Sequence, residues 1–169
     1  MRNDQPLMST DRPEASSIGR VRAALVAHGL TVEIKEFTAS TRTAADAAAA
    51  IGCSVGQIAK SLVFRAKPSK RAVLVIASGA NRVDEAKLAA ALGETIGKAD
   101  AEFVRAETGF AIGGVAPVGH GIVIRTFVDA DLMEYREIWA AAGSPNSVFR
   151  LSPEDLVRIT GAEVIALKA

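Results

Sequence analysis

The chain has 169 residues, 49% hydrophobic and 23% charged, with a formal net charge of +1. That length suits one domain with a core of its own, and the bulk charge points to no particular partner. A single cysteine, Cys53, excludes an intrachain disulfide and a cysteine-built zinc site.

The opening MRNDQPLMSTDRPEASS is polar and lacks the apolar centre of a signal peptide. Residues 1–14 are expected to form a mobile tail ahead of one domain over 15–169. No apolar run approaches the ~20 residues of a membrane span. The expected location is the cytoplasm, with no membrane partner.

Over 15–28, Ile18, Val21, Leu25 and Val26 recur at helical spacing, and Gly29 supplies a stop. TVEIKEF (31–37) alternates as a strand. TRTAADAAAAIG (41–52) predicts an alanine-rich helix capped by Ser40, Thr41 or Thr43, and SVGQIA (54–59) a short second helix. SLVFRA (61–66) and AVLVIAS (72–78) predict a hairpin around KPSKR. Helices follow over 83–93 and 99–109, each closed by glycine. After a glycine-rich stretch come strands over 121–129, 136–143 and 147–152, a helix over 152–161 and a last strand over 162–167. Hairpins mixed with helices in irregular order predict an α+β domain rather than a doubly wound sheet.

Charge is unevenly spread. From Lys60 to Lys87 there are seven basic residues, including Arg65, Lys67, Lys70, Arg71 and Arg82, and two acids. Such a segment is either a solvated face or the footprint of an anionic partner.

Familiar catalytic motifs are missing. His28 and His120 are the only histidines, and neither sits in HExxH, so no metal is expected. GFAIGGVAPVGHG (109–121) lacks the GxxxxGK[ST] phosphate loop. Its Gly119-His120-Gly121 precedes a strand, where a dinucleotide fingerprint would follow one. There is no GxSxG. What remains is Lys60, just ahead of an apolar strand, and the glycine loop. The lysine is either a snorkelling edge residue or a fixed cation at a pocket mouth. The loop is either a plain turn or a stiff backbone surface, with Gly113 and Gly114 allowing close approach and Pro117 fixing φ. Backbone N–H groups presented in that way can stabilise an oxyanion.

TAADAAAAIGCSVGQIAKSLVF, ANRVDEAKLAAALG, TGFAIGGVAPVG and FVDADLMEYREIWAAAGSPNSVFRLSPEDLVRITGA, in that order, resemble the YbaK family. These are aminoacyl-tRNA deacylases related to the editing domain of bacterial prolyl-tRNA synthetase. The resemblance runs over roughly residues 20–167. It implies a single compact α+β domain around a mixed, curved sheet flanked by helices, and hydrolysis of the ester of mischarged aminoacyl-tRNA, without a cofactor. It further implies roles for Lys60, for the Gly113-to-Pro117 loop including Gly114, Val115 and Ala116, for Asp129, and for the small-residue turn at Gly143 and Ser144. His120, at the end of the glycine loop, is a further candidate for substrate contact. The basic residues Arg65, Lys67, Lys70, Arg71 and Arg82 would meet tRNA; DNA is not an expected partner, and a synthetase is a possible one. Two other functions fit the same residues: a Cys-tRNA deacylase in which the substrate thiol makes the displacement, and a non-catalytic module that grips tRNA ends or a small anion.

Overall fold

The computed structural model describes residues 13–38 and 43–169, with side chains from residue 17 onward in the first helix. The expected tail over 1–14 falls mostly outside the described residues, as do the cap candidates Ser40 and Thr41.

Local chemistry sets the helices. Helix α1 (Pro13–Ala27) buries Ile18, Val21 and Leu25 along one stripe. Helix α2 (Ala44–Ile51) starts where Thr43 Oγ1 accepts the Asp46 N–H and stops at Gly52, whose φ of 87° is left-handed. Asp84, Asp100 and Ser152 cap α3 (Glu85–Leu92), α4 (Ala101–Thr108) and α5 (Pro153–Thr160) in the same way. Each cap satisfies amide donors that the first helical turn leaves unpaired.

Among the described residues eight strands form one mixed sheet: β1 (Ile34–Glu36), β2 (Ile58–Lys67), β3 (Ala72–Ser78), β4 (Thr95–Lys98), β5 (Arg125–Asp129), β6 (Ile138–Ala141), β7 (Ser147–Leu151) and β8 (Glu163–Ile165). Their order is β1-β7-β6-β2-β3-β5-β8, with β4 pairing β2 off this path. Strand β3, buried along its whole length, runs antiparallel to β2 and parallel to β5. One face packs α1, Leu74, Ile76, Phe110 and Phe149 together; the other holds Val73, Val75, Leu88, Phe127 and Leu167. Helix α2 covers Ile58, Trp139 and Val148. This is the α+β domain that the order of elements predicts.

Strand β2 is the hub, and its edge away from β3 is shared. Strand β6 pairs in parallel with Ile58 and Ala59, and β4 pairs antiparallel from Phe64 to Lys67. Residues 60–63 lie between them with no strand partner on that edge.

Two expectations are corrected and one element is added. The second helix over 54–59 is only a 3-10 turn, Val55–Gln57, because Ile58 and Ala59 already pair with Trp139 and Ala140. The strand expected over 121–129 begins at Arg125. Its partner β3 starts at Ala72, one residue before the Val73–Arg125 pair, so 121–124 have almost nothing to pair with, and Val123 is 100% exposed. Thr95–Lys98, left without an assignment between two helices, is β4; four residues with a glycine carry too little pattern to reveal a strand that only its partner defines.

Candidate functional site

Lys60 is the third residue of β2. It is half-buried, and its Nζ donates to the Asn81 carbonyl at 2.8 Å. Asn81 lies in the turn after β3, 7% exposed, and its Nδ2 donates to Asp129 Oδ2 (2.9 Å) and Asp131 Oδ2 (2.8 Å). Asp129, 1% exposed at the end of β5, also accepts the Ser78 N–H through Oδ2 and the Asp131 N–H through Oδ1. One carboxylate thus ties the ends of β3 and β5 to the turn that holds the lysine. Burial pushes the Lys60 ammonium below its ordinary pKa; the Asp129 charge opposes this and the nearby Arg82 cation adds to it.

The facing wall is backbone. After α4 ends at Gly109, the Gly114 N–H donates to the Ala111 carbonyl at 2.9 Å, closing a tight turn around Ile112 and Gly113. Gly113 has φ 92°, a conformation that glycine adopts without penalty. Gly114 lies flat on the next wall: a Cβ there would stand 2.7 Å from the Ser144 carbonyl carbon. The Gly114 N–H is used inside the turn, whereas no hydrogen bond among the described residues uses the N–H groups of Ile112, Gly113 or Val115, all of which line the cleft.

Behind this turn, Val115, Ala116, Pro117 and Val118 are buried. His120 Nε2 lies 2.7 Å from the Ala116 carbonyl, and its ring meets Phe110 edge-on at 5.9 Å. A carbonyl only accepts, so Nε2 carries the hydrogen. Burial holds the His120 pKa below its ordinary value, which favours the neutral ring. Arg20 of α1 stacks on Phe110 and donates to the Gly109 carbonyl at 2.7 Å.

The third wall is the turn between β6 and β7. Ser144 Oγ donates to Ser147 Oγ (2.7 Å) or Asn146 Oδ1 (2.9 Å), and Asn146 Nδ2 donates to the Phe37 carbonyl. Gly143, φ 109°, backs onto α1, where a Cβ would stand 2.9 Å from the Ser17 carbonyl oxygen.

Between the walls lies a cleft of about 520 Å³. It gathers Lys60, Gly113, Val115 and Ser144 from the sequence candidates. Gly114, Ala116, Pro117, His120, Asp129 and Gly143 do not line it; they hold the lining residues from behind. Residues that the sequence did not single out line it as well, among them Ser61, Ile112, Trp139 and Ser147. A smaller cavity of about 240 Å³ adjoins it, sharing Ser61, Leu62, Ile112, Gly113 and Val115. The basic residues spread out. Arg82 lies near Lys60, Arg65 stacks on Phe103, and Lys67, Lys70 and Arg71 sit at the hairpin end, roughly 23 Å of extended strand from Lys60. Among the described residues no helix is long and apolar enough to cross a membrane.

The fold and cleft define a one-domain α+β protein whose cleft is walled by fixed backbone and one held cation. Comparison with known proteins gives the class a family. The model of the aminoacyl-tRNA editing domain matches residues 38–159. A crystal structure of a protein proposed to be a trans-editing enzyme for prolyl tRNA synthetase is 47% identical, with a TM-score of 0.85 over 90% of this chain and 97% of that one. The hypothetical protein APE2540 is 30% identical, with a TM-score of 0.82 over 89% and 99%. The uncharacterized protein YwhH of Bacillus subtilis (strain 168) is 32% identical over 132 residues, 78% of this chain and 83% of its own. The chain belongs to the aminoacyl-tRNA editing domain family.

Proposed function

We propose that the protein is a cytoplasmic trans-editing hydrolase that cleaves the ester of mischarged aminoacyl-tRNA, releasing a small amino acid from tRNA for proline or a related tRNA. The observation that carries this reading is Lys60, fixed by Asn81 and standing in one cleft with the bare backbone turn at Gly113. The likeness to the protein proposed to edit for prolyl tRNA synthetase supports the choice of tRNA. A synthetase for a small amino acid gains only ~1–3 kcal/mol of discrimination per methylene, so a separate hydrolytic sieve has work to do.

The aminoacyl ester is already activated, so positioning and charge stabilisation supply the catalysis. The N–H groups of Gly113 and Val115 hold the ester carbonyl oxygen. Lys60 grips the phosphate at the terminal adenosine as a compact cation. Water adds to the carbonyl carbon. The bond to the ribose oxygen then breaks, and that oxygen leaves with a proton, freeing tRNA and amino acid. Arg82 and Arg65, with Lys67, Lys70 and Arg71 further along the hairpin, bind the acceptor-stem backbone, which makes affinity fall with salt.

A panel of mischarged tRNAs tests this directly. Release of a small amino acid from tRNA for proline, with correctly charged tRNA spared, is the expected outcome. Cleavage of thiol-bearing substrate alone would replace the water mechanism with displacement by the substrate's own thiol. Binding without turnover across the panel would make the protein a tRNA-end binding module.

A further inference from the structure

The gap in the edge of β2 leaves Ser61 and Val63 turned to a side with no strand partner, and of the two only Ser61 carries a polar side chain. Gly79 N–H donates to the Ile58 carbonyl, and Ala66 N–H to the Arg71 carbonyl. Both contacts fall on the β2–β3 register, so even-numbered residues of β2 exchange backbone bonds with β3 and odd-numbered ones turn to the opposite edge. Ser61 is therefore turned toward the gap. The last pair with β6 is Ala59–Ala140 and the first with β4 is Phe64–Lys98, so neither neighbour pairs with it.

Its side chain is unmatched as well. Ser61 Oγ is buried without a hydrogen-bond partner, the only such side-chain atom among the described residues. A buried hydroxyl left unpaired has given up its water without compensation, and a ligand that supplies the partner restores the lost hydrogen bond. Ser61 also stands where the large cleft and the small cavity meet, since it lines both. The small cavity is walled largely by Leu62, Val63, Val104, Ile112 and Val115. A ligand that puts an apolar group there and its polar remainder in the cleft brings the junction between them to Ser61.

We propose that Ser61 receives the α-ammonium of the aminoacyl group, through its hydroxyl oxygen and its edge-facing carbonyl, while an aliphatic amino-acid side chain fills the small cavity. This assignment rests on the editing reading. Two acceptors at one point suit an ammonium, which brings three donors. Successive side chains leave opposite faces of a strand, so the Lys60 ammonium and the Ser61 hydroxyl lie on different sides of β2 and the two cations are kept apart. The site takes free aminoacyl esters and discriminates against esters whose α-amino group is blocked or replaced.

The test uses non-hydrolysable 3′-amide analogues of aminoacyl-adenosine, one carrying alanine and one carrying propionate, which lacks the amino group. Wild-type protein is expected to bind the alanyl compound about tenfold more tightly. Ser61→Ala is expected to bind the two within about twofold, with thermal stability unchanged or raised, because the hydroxyl has no partner in the free protein. Equal binding of the two analogues by the wild type, a preference surviving in Ser61→Ala, or no binding of either compound would overturn the assignment. Turnover of mischarged tRNA is scored separately. A protein that edits but ignores the amino group keeps the editing function and loses this subsite; one that shows the Ser61-dependent preference yet cleaves nothing in the panel does the reverse.

Discussion

The two principal walls of the cleft are held by different means. On the β2 side a charged side chain faces the cleft, and other side chains hold it: Lys60 on Asn81, Asn81 on Asp129 and Asp131. On the Gly113 side peptide groups face the cleft, and packing holds them: Gly114 flat on Ser144, Phe110 under Arg20 and His120. The first wall is tuned by electrostatics and the second by shape. Each should therefore fail in its own way.

Lys60→Ala should give the largest effect, a loss of about 10²-fold or more in kcat/KM on mischarged tRNA. Unchanged circular dichroism and melting would place that loss in the site rather than the fold. Full activity in this variant would remove the lysine wall from the mechanism. Gly114→Ala should damage both properties. Its Cβ must push the Ser144 backbone away, which costs about 1–3 kcal/mol of stability, and the moved turn should lower kcat/KM about tenfold. A variant that melts and reacts like the wild type would show that the walls do not depend on that contact.

Replacing Lys67, Lys70 and Arg71 together by alanine should raise KM for tRNA severalfold, leave kcat alone and flatten the dependence of log KM on log salt. An unchanged salt slope would detach the hairpin end from the tRNA. The smallest effects concern pH. Burial and Arg82 both disfavour the Lys60 cation, so the alkaline limb of kcat/KM should lie below the ordinary lysine value of about 10.4. Arg82→Gln removes a like charge and should move the limb up. Asp129→Asn removes an attraction and should move it down. Shifts of the opposite sign would show that another group titrates.

What the sequence disclosed follows the same division. Lys60 was visible as a lone cation before an apolar strand, and the glycine loop as an excess of glycine needing a reason. The helices were legible because Gly52, Gly93, Gly109 and Gly161 stop them in left-handed conformations. Ser61 was not legible: a serine inside SLVF looks like any polar residue of a strand, and its unpaired edge exists only because β6 and β4 leave a gap between them. Asn81 was equally silent, since its partners Asp129 and Asp131 lie some fifty positions away. Asp129 was singled out with the substrate contacts, and the structure puts it beneath the lysine rather than in the cleft. The His120 ring, between two glycines, points inward at Ala116 and Phe110, which no reading of a glycine loop would have chosen.

Helix α1 touches both the backbone turn, through Arg20 and Gly109, and the third wall, where Gly143 rests on Ser17. Two jaws of the cleft are thus bolted to a single beam. Arg20 holds the start of the glycine loop and the Ser17 carbonyl backs the β6–β7 turn, so removing the helix would strip support from both jaws at once. The beam lies ahead of the 38–159 stretch that the family model matches. A fragment trimmed to that stretch would keep every residue that lines the opening and lose the helix that backs two of its jaws.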